Sequence, residues 1–304
     1  MSLFQAVVPL SGRAPPPFDA SPGHGRGAPL ARYAKYVQLE HTVFSLPLIF
    51  AGAFLHGHRW PPPKLVVLIC LAATAGRVMA MGLNRLIDAE IDARNPRTQD
   101  RELPRGAVTR REAWAILGVA GLVYLTSAAA IAPVCWQWSP LPVALFVIYP
   151  YLKRLTPLAH LGLGIAWSMA PLGGWLAASK SLEPLREVGW LWLFAVVWVA
   201  GFDIIYATLD EAFDRAFGLH SLPVSLGRTR ALHVAAWLHA AAFLSLYALW
   251  RAQLHAPASL AWLIGIGALF IWQHAIAEEN PAFAFFQLNG LIGFLVFGFV
   301  LAGV

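Results

Sequence analysis

The sequence predicts an all-α polytopic membrane protein, and three observations carry that reading. The first is composition: of 304 residues, 58% are hydrophobic and only 12% charged, and the mean hydropathy is +0.60. A soluble domain carries about 25% charged and roughly 45–50% apolar residues, so this chain has too little charge to cover a water-soluble globule. A soluble α/β enzyme, a secreted disulfide scaffold and a disordered chain are excluded on that ground. The second is run length: the apolar stretches approach the roughly 20 residues that a helical span needs. They are continuous rather than alternating, which excludes a transmembrane β-barrel. The third is the one-sided distribution of Lys and Arg described below.

Residues 1–30 contain Pro15-Pro16-Pro17 and Gly23-His24-Gly25 and read as a flexible tail. Its first ten residues are apolar, but Arg13 follows them, which is the wrong order for a signal peptide. Nine apolar runs come next. The first, 37–56, leads through a loop with Arg59 to 64–86, which carries Arg77 inside it. A charged loop separates that run from 113–132. The fourth, 139–152, is short, so it is either tilted or extended past Pro150. After Lys153-Arg154 come 158–178 and then 188–209, which contains Asp203. The last three are 230–250, 257–276 and 283–303.

With the N-terminus inside, the N-terminal segment and the second, fourth and sixth loops hold sixteen of the 22 Lys and Arg residues. The opposite side holds Arg59, Lys64, Lys180, Arg186 and Arg251. The positive-inside rule then gives an N-in, C-out topology. It also accounts for the net charge of +6 without a nucleic-acid partner. Cys70 and Cys135 lie in predicted spans, with no spacing for a disulfide or a zinc site.

Ionisable residues are expensive in lipid, so their placement is the best functional evidence here. Ten of the sixteen acids fall in two segments, 84–112 and 203–214, each at the cytoplasmic end of an outward-to-inward span. In the first, steps of seven, four and four predict one helix face bearing Arg77, Asn84, Asp88 and Asp92. In the second, steps of three, four and four do the same for Asp203, Tyr206, Asp210 and Asp214. Asp88/Asp92 match Asp210/Asp214 at an offset of 122 residues, and each pair is followed by a Leu-Pro. Four helices separate the copies, so an internal parallel repeat would set two acidic faces across one cavity.

Acids at i and i+4 repel on a bare helix, so such faces want a cation. Mg²⁺ takes few protein carboxylates and completes its shell with water and phosphate oxygens. The neighbouring arginines suit phosphate. Apolar spans add a lipid-accessible groove, and together these features suggest a diphosphate on a long hydrocarbon chain. Asp203 lies about two turns deeper, where a carboxylate needs a partner or a metal. Arg77 is either paired with Glu40 or an anion hook for substrate. Lys153 and Arg154 are either topogenic or diphosphate contacts, and Arg97, Arg101 and Arg105 lie in a loop that can cap the cavity. Gly173-Gly174 reads as close helix packing.

Asn84-Arg85-x2-Asp88-x3-Asp92 resembles the NDxxDxxxD motif of the UbiA-type intramembrane prenyltransferases, and Asp203-x2-Tyr206-x3-Asp210-x3-Asp214 resembles their second motif. The likeness covers roughly residues 32–304. Arg85 replaces the second residue of the motif and takes no metal role. The stretches His41-Thr-Val-Phe-Ser-Leu-Pro, Asn95-Pro-Arg-Thr, Tyr151-Leu-Lys-Arg and Gly218-Leu-His-Ser-Leu-Pro look most like the 4-hydroxybenzoate polyprenyltransferase branch. A sister group prenylating a dihydroxynaphthoate in menaquinone synthesis is also similar.

The resemblance implies nine transmembrane helices around a central cavity within residues 31–304, capped by the second and sixth loops. It implies Mg²⁺ on Asn84, Asp88, Asp92, Asp210 and Asp214, and a polyprenyl diphosphate held by Arg97, Arg101, Lys153 and Arg154. Arg77, Asp203 and Tyr206 become catalytic residues acting on an aromatic acid acceptor in quinone synthesis. Aromatic walls such as Tyr206 and Tyr149 would shield an allylic cation. A cation-coupled transporter would also place acids at repeat-related positions, but near the membrane midplane rather than at one face.

Overall fold

The computed structural model describes residues 29–38 and 42–304. All but the last two residues of the expected tail lie outside that range, as do Glu40 and His41. Fourteen α-helices follow one another, with no strand among the described residues. They are α1 (Pro29–Tyr36), α2 (Thr42–Leu55), α3 (Pro63–Ile87), α4 (Ala89–Arg94), α5 (Arg110–Ile131), α6 (Pro133–Trp138), α7 (Pro140–Leu152), α8 (Ala159–Ser179), α9 (Arg186–Ala207), α10 (Glu211–Ala216), α11 (Leu222–Leu226), α12 (Arg228–Leu249), α13 (Ala258–Ile276) and α14 (Pro281–Leu301).

Local chemistry sets the helix ends. Pro63 starts α3 at a position where a missing N–H costs nothing. Thr109 and Glu112 form a reciprocal capping box on α5, with the Thr109 amide donating to Glu112 Oε2 at 2.7 Å. Asn280 Oδ1 caps α14 by accepting from the Phe283 amide at 3.1 Å. Gly227, at φ +80°, makes the left-handed corner between α11 and α12.

Among the described residues, seven helices are long and apolar enough to cross a membrane: α3, α5, α8, α9, α12 with its continuation to Leu254, α13 and α14. Shorter helices stand at the first and fourth expected positions, α2 with 14 residues and α7 with 13. At about 1.5 Å per residue, α7 is some 20 Å long, and it passes Pro150 by only two residues. Apolar side chains face outward around the bundle: Val119, Leu122, Trp237, Leu244, Ile264 and Ile271 are each more than 60% exposed. A contiguous apolar surface of this kind fits lipid, not water.

The core is organised around α9, whose apolar window is 67% buried against 22% for the peripheral α5. Phe194, Trp198 and Val199 of α9 pack with residues of α2, α8, α12, α13 and α14. A second cluster joins α1, α3 and α5 through Tyr36, Met79 and Leu117. Lipid supplies no hydrophobic drive between spans, so small residues that let backbones approach do that work. A Cβ on Gly174 of α8 would lie 1.9 Å from the Ile49 carbonyl oxygen of α2. A Cβ on Gly164 would lie 2.2 Å from the Val196 carbonyl oxygen of α9. Gly173, beside Gly174, meets nothing within 4 Å.

The acidic segments depart from the single continuous faces expected. Helix α3 stops at Ile87, Asp88 adopts φ −94° and ψ 5°, and the six-residue α4 follows. Helix α9 stops at Ala207, Asp210 adopts φ −105° and ψ 1°, and the six-residue α10 follows. Asp92 and Asp214 each donate their backbone N–H to the carbonyl four residues back, at 2.8 Å, so the turn is kept while the axis breaks. The two segments thus share one local form, and the break turns each acidic pair over the end of the bundle.

Replacing Gly174 by Ala forces α2 and α8 apart. It is expected to destabilise the protein by about 1–3 kcal/mol, read as a lower thermal midpoint in detergent. Gly173→Ala is expected to leave the midpoint unchanged, and equal losses for both would refute the packing role.

Candidate active site

At the end of the bundle where both acidic segments lie, a cavity of about 370 Å³ is lined by α3, α7, α8, α9, α14 and the segments after α4 and α10. Asn84, Asp88, Asp92, Asp203, Tyr206, Asp210 and Asp214 all reach its wall, as do Arg77, Arg97, Arg101 and Lys153. Eleven of the twelve site residues expected from the sequence therefore meet in one place. Arg154 is the twelfth. It lies behind the wall, where Nη2 donates to the Ile87 carbonyl at 2.8 Å and to Asp88 Oδ1 at 3.2 Å.

Three of the five cavity carboxylates are each met by a cation from another segment. Asp88 accepts from Lys153 Nζ at 2.6 Å, and Asp92 from Arg101 Nη1 at 2.8 Å. Asp210 is held by both arms of the Arg97 guanidinium, Nε at 2.8 Å and Nη2 in a short contact. Arg97 also donates through Nη1 to the Tyr206 hydroxyl at 2.6 Å and lies over the Tyr206 ring. Asn95 completes the cluster: its Nδ2 donates to Asp210 Oδ1 at 2.9 Å and its Oδ1 accepts from the Arg97 amide at 2.9 Å.

These surroundings push the acids apart. Burial raises the Asp88 carboxyl above its usual range, and Lys153 only partly offsets it. Burial also raises Asp210, but the Arg97 hydrogen bonds outweigh it and the net shift is downward. Asp214 rises to about 6, first through burial and then through the negative charge of Asp210.

A second, mostly apolar cavity of about 200 Å³ opens between α3, α5, α7 and α8. Ile69, Gly76, Tyr124, Ile131, Cys135 and Gly173 are among its walls. The two cavities meet at Arg77, Ala80, Phe146, Ala166 and Trp167. Gly173 therefore keeps space open, whereas Gly174 packs as expected. Tyr149 lines the polar cavity, and Tyr206 stacks on Phe285 at 4.1 Å.

Asn84 and the four motif aspartates offer carboxylate and amide oxygen, which suits a hard cation rather than zinc. Among the described residues, no three His, Cys or acidic side chains converge closely enough to hold an ion unaided.

Residues 45–291 match the UbiA prenyltransferase family. The chain belongs to that family. It is an enzyme of the prenyltransferase class and an integral membrane protein. It is 27% identical to the 4-hydroxybenzoate octaprenyltransferase of Shewanella denitrificans over 279 residues, spanning 89% of this chain and 93% of that one. The enzyme of the same name from Coxiella burnetii is 28% identical over 243 residues, spanning 78% and 83%. An apo UbiA homologue from Aeropyrum pernix superposes with a TM-score of 0.81 at 35% identity, covering 86% of this chain and 97% of that one. The Archaeoglobus fulgidus homologue solved with GPP and Mg²⁺ shares the fold, with a TM-score of 0.65 at 20% identity over 90% and 100%.

Three functional neighbours escaped sequence reasoning in this UbiA-family chain. The partner that Asp203 needs is His160, Nδ1 to Oδ2 at 2.6 Å. A lone histidine at the start of an apolar span was the available signal. Asn95 was visible only as part of a family-like stretch. Glu102 is buried against Arg85, Nη1 to Oε2 at 3.1 Å, with side chains 3% and 4% exposed. Lys35 and Arg105 lie farther from Glu102, at 3.8 and 4.0 Å, so Arg105 serves this anchor rather than the cavity. Arg85 thus fastens the loop bearing Arg97 and Arg101 to α3.

Glu102→Ala leaves Arg85 buried without its carboxylate. A loss of about 3–5 kcal/mol in stability is expected, measurable by thermal unfolding in detergent, and partial recovery in Arg85→Met/Glu102→Leu.

Proposed function

We propose that the protein transfers a polyprenyl group from a polyprenyl diphosphate to an aromatic acid of the 4-hydroxybenzoate kind, with Mg²⁺, in quinone biosynthesis. The observation that carries this reading is the junction of a charge-lined cavity and an apolar one at Arg77. A diphosphate fits the first and a hydrocarbon tail the second. The names of the curated relatives and the GPP and Mg²⁺ bound to the A. fulgidus homologue support the same substrate pairing.

Asn84, Asp88, Asp92, Asp210 and Asp214 would hold the metal, which when bound supplies Lewis-acid neutralisation of the leaving diphosphate. Arg97, Arg101 and Lys153 then turn from carboxylates to phosphate oxygens, and Arg154 keeps Asp88 oriented from behind. The carbon–oxygen bond to the diphosphate breaks with its electron pair leaving on oxygen. Tyr206, Tyr149 and Phe285 face the resulting allylic cation and exclude water from it. Arg77 receives the acceptor's carboxylate, and Asp203 accepts a hydrogen bond from its phenol, which enriches the attacking ring. A carbon–carbon bond forms and the ring carbon loses its proton to the departed diphosphate. All nine apolar helices serve as spans, related in part by an internal repeat, in a bacterial-type inner membrane with the N-terminus and the site on the cytoplasmic side.

Purified protein with Mg²⁺ and a short prenyl diphosphate is expected to prenylate 4-hydroxybenzoate, followed by mass spectrometry, and to stop with EDTA. Product with dihydroxynaphthoate alone would move the enzyme to menaquinone synthesis. Asp88→Ala and Asp210→Ala are each expected to lower turnover by at least 100-fold, about 2.7 kcal/mol in the barrier, while remaining folded; full activity in either would overturn the metal assignment. Gly173→Leu, which fills the apolar cavity, is expected to raise the relative rate with short donors over long ones. An unchanged chain-length profile would remove the tail from that cavity.

A further inference from the structure

His160 lies in the first turn of α8 with its side chain 5% exposed, and both ring nitrogens are engaged. Nδ1 meets Asp203 Oδ2 at 2.6 Å, and Nε2 accepts the backbone N–H of Leu222 at 3.2 Å. A backbone amide only donates, so Nε2 must carry the lone pair and the ring proton must sit on Nδ1. The tautomer follows from the hydrogen bonds alone. A proton on Nε2 would point one donor at another.

The contact depends on tertiary packing at both ends. Gly164, one turn along α8, lets the helix approach α9 closely enough for the ring to reach Asp203. Leu222 is the first residue of α11, and its amide is one of the N–H groups that a helix start leaves without an internal partner. Ser221, just before it, lines the polar cavity. The Lys153 carbonyl accepts from the His220 amide at 2.7 Å, which seats this segment on the fourth loop. The imidazole therefore bridges a carboxylate in the cavity wall and the backbone of the segment that closes over it.

We infer that His160 is a positioning residue for prenyl transfer: its Nδ1–H holds the Asp203 carboxylate toward the acceptor, in an orientation set by the seated α11 segment. The inference rests on the role of Asp203 given under Proposed function. Asp203 takes a neutral donor rather than a cation, so its negative charge stays available to the acceptor's phenol while its direction is fixed. Of the other four acids in the cavity wall, Asp88, Asp92 and Asp210 are each paired with Lys or Arg.

The test is a double-mutant cycle in purified full-length protein, with 4-hydroxybenzoate, a short prenyl diphosphate and Mg²⁺. His160→Ala is expected to lower kcat by about 10- to 100-fold, the scale of a misplaced reacting group, with the KM for the diphosphate unchanged. His160→Asn, whose Nδ2 can still donate to Asp203, is expected to recover most of the rate. In an Asp203→Ala background, His160→Ala is expected to cost nothing further. Wild-type turnover in His160→Ala, or the same fractional loss in both backgrounds, would overturn the inference while leaving the Asp203 reading intact. Wild-type turnover in Asp203→Ala would remove the Asp203 reading itself. If His160→Ala does not fold, His160→Leu, of similar bulk but with no donor, is compared in the two backgrounds: a loss that is equal in both overturns the inference.

Discussion

A carboxylate walled in by apolar helices must have a compensating charge or donor at hand, and that need organises this molecule's working end. Five acids stand over one cavity, and three of them are gripped by Arg97, Arg101 and Lys153 from other segments. The same contacts that make the acids tolerable gather cations where a diphosphate can use them. Removing water from such a site strengthens every one of these interactions, so binding strength and burial rise together.

Geometry at the ends of α3 and α9 turns that electrostatic arrangement into a site. Straight helices would have carried Asp92 and Asp214 on along two separate faces. The breaks at Asp88 and Asp210 instead fold the short helices α4 and α10 over the cavity, with nearly the same backbone angles in both segments. The loop after α4 is then tied down by the buried Arg85–Glu102 pair, which gives the arginine at this motif position its partner. Below this charged layer the wall becomes apolar, and Arg77 stands at the boundary.

Much of this was legible in the sequence. The apolar runs located every long helix, and the spacing of acids singled out Asp88, Asp92, Asp203, Asp210 and Asp214 before any coordinates. The helix breaks were not legible, because i, i+4 spacing is kept across them and the residues at the break are ordinary helix formers apart from the Asp itself. Arg154 and Lys153 are neighbours of like charge, and nothing in their order tells which one faces the cavity. His160 is a single polar residue in an apolar run, a pattern that more often marks a satisfied core side chain.

The sequence by itself determined the solvent, the helical class and the two acidic segments, because hydropathy, charge and short spacings are local properties. Only the tertiary structure decided the pairing. Arg97 meets Asp210 across 113 residues, Lys153 meets Asp88 across 65, and His160 meets Asp203 across 43. Partners so far apart along the chain are chosen by helix packing, and here that packing turns on glycines such as Gly164 and Gly174, where backbone carbonyls of neighbouring spans occupy the space a side chain would take.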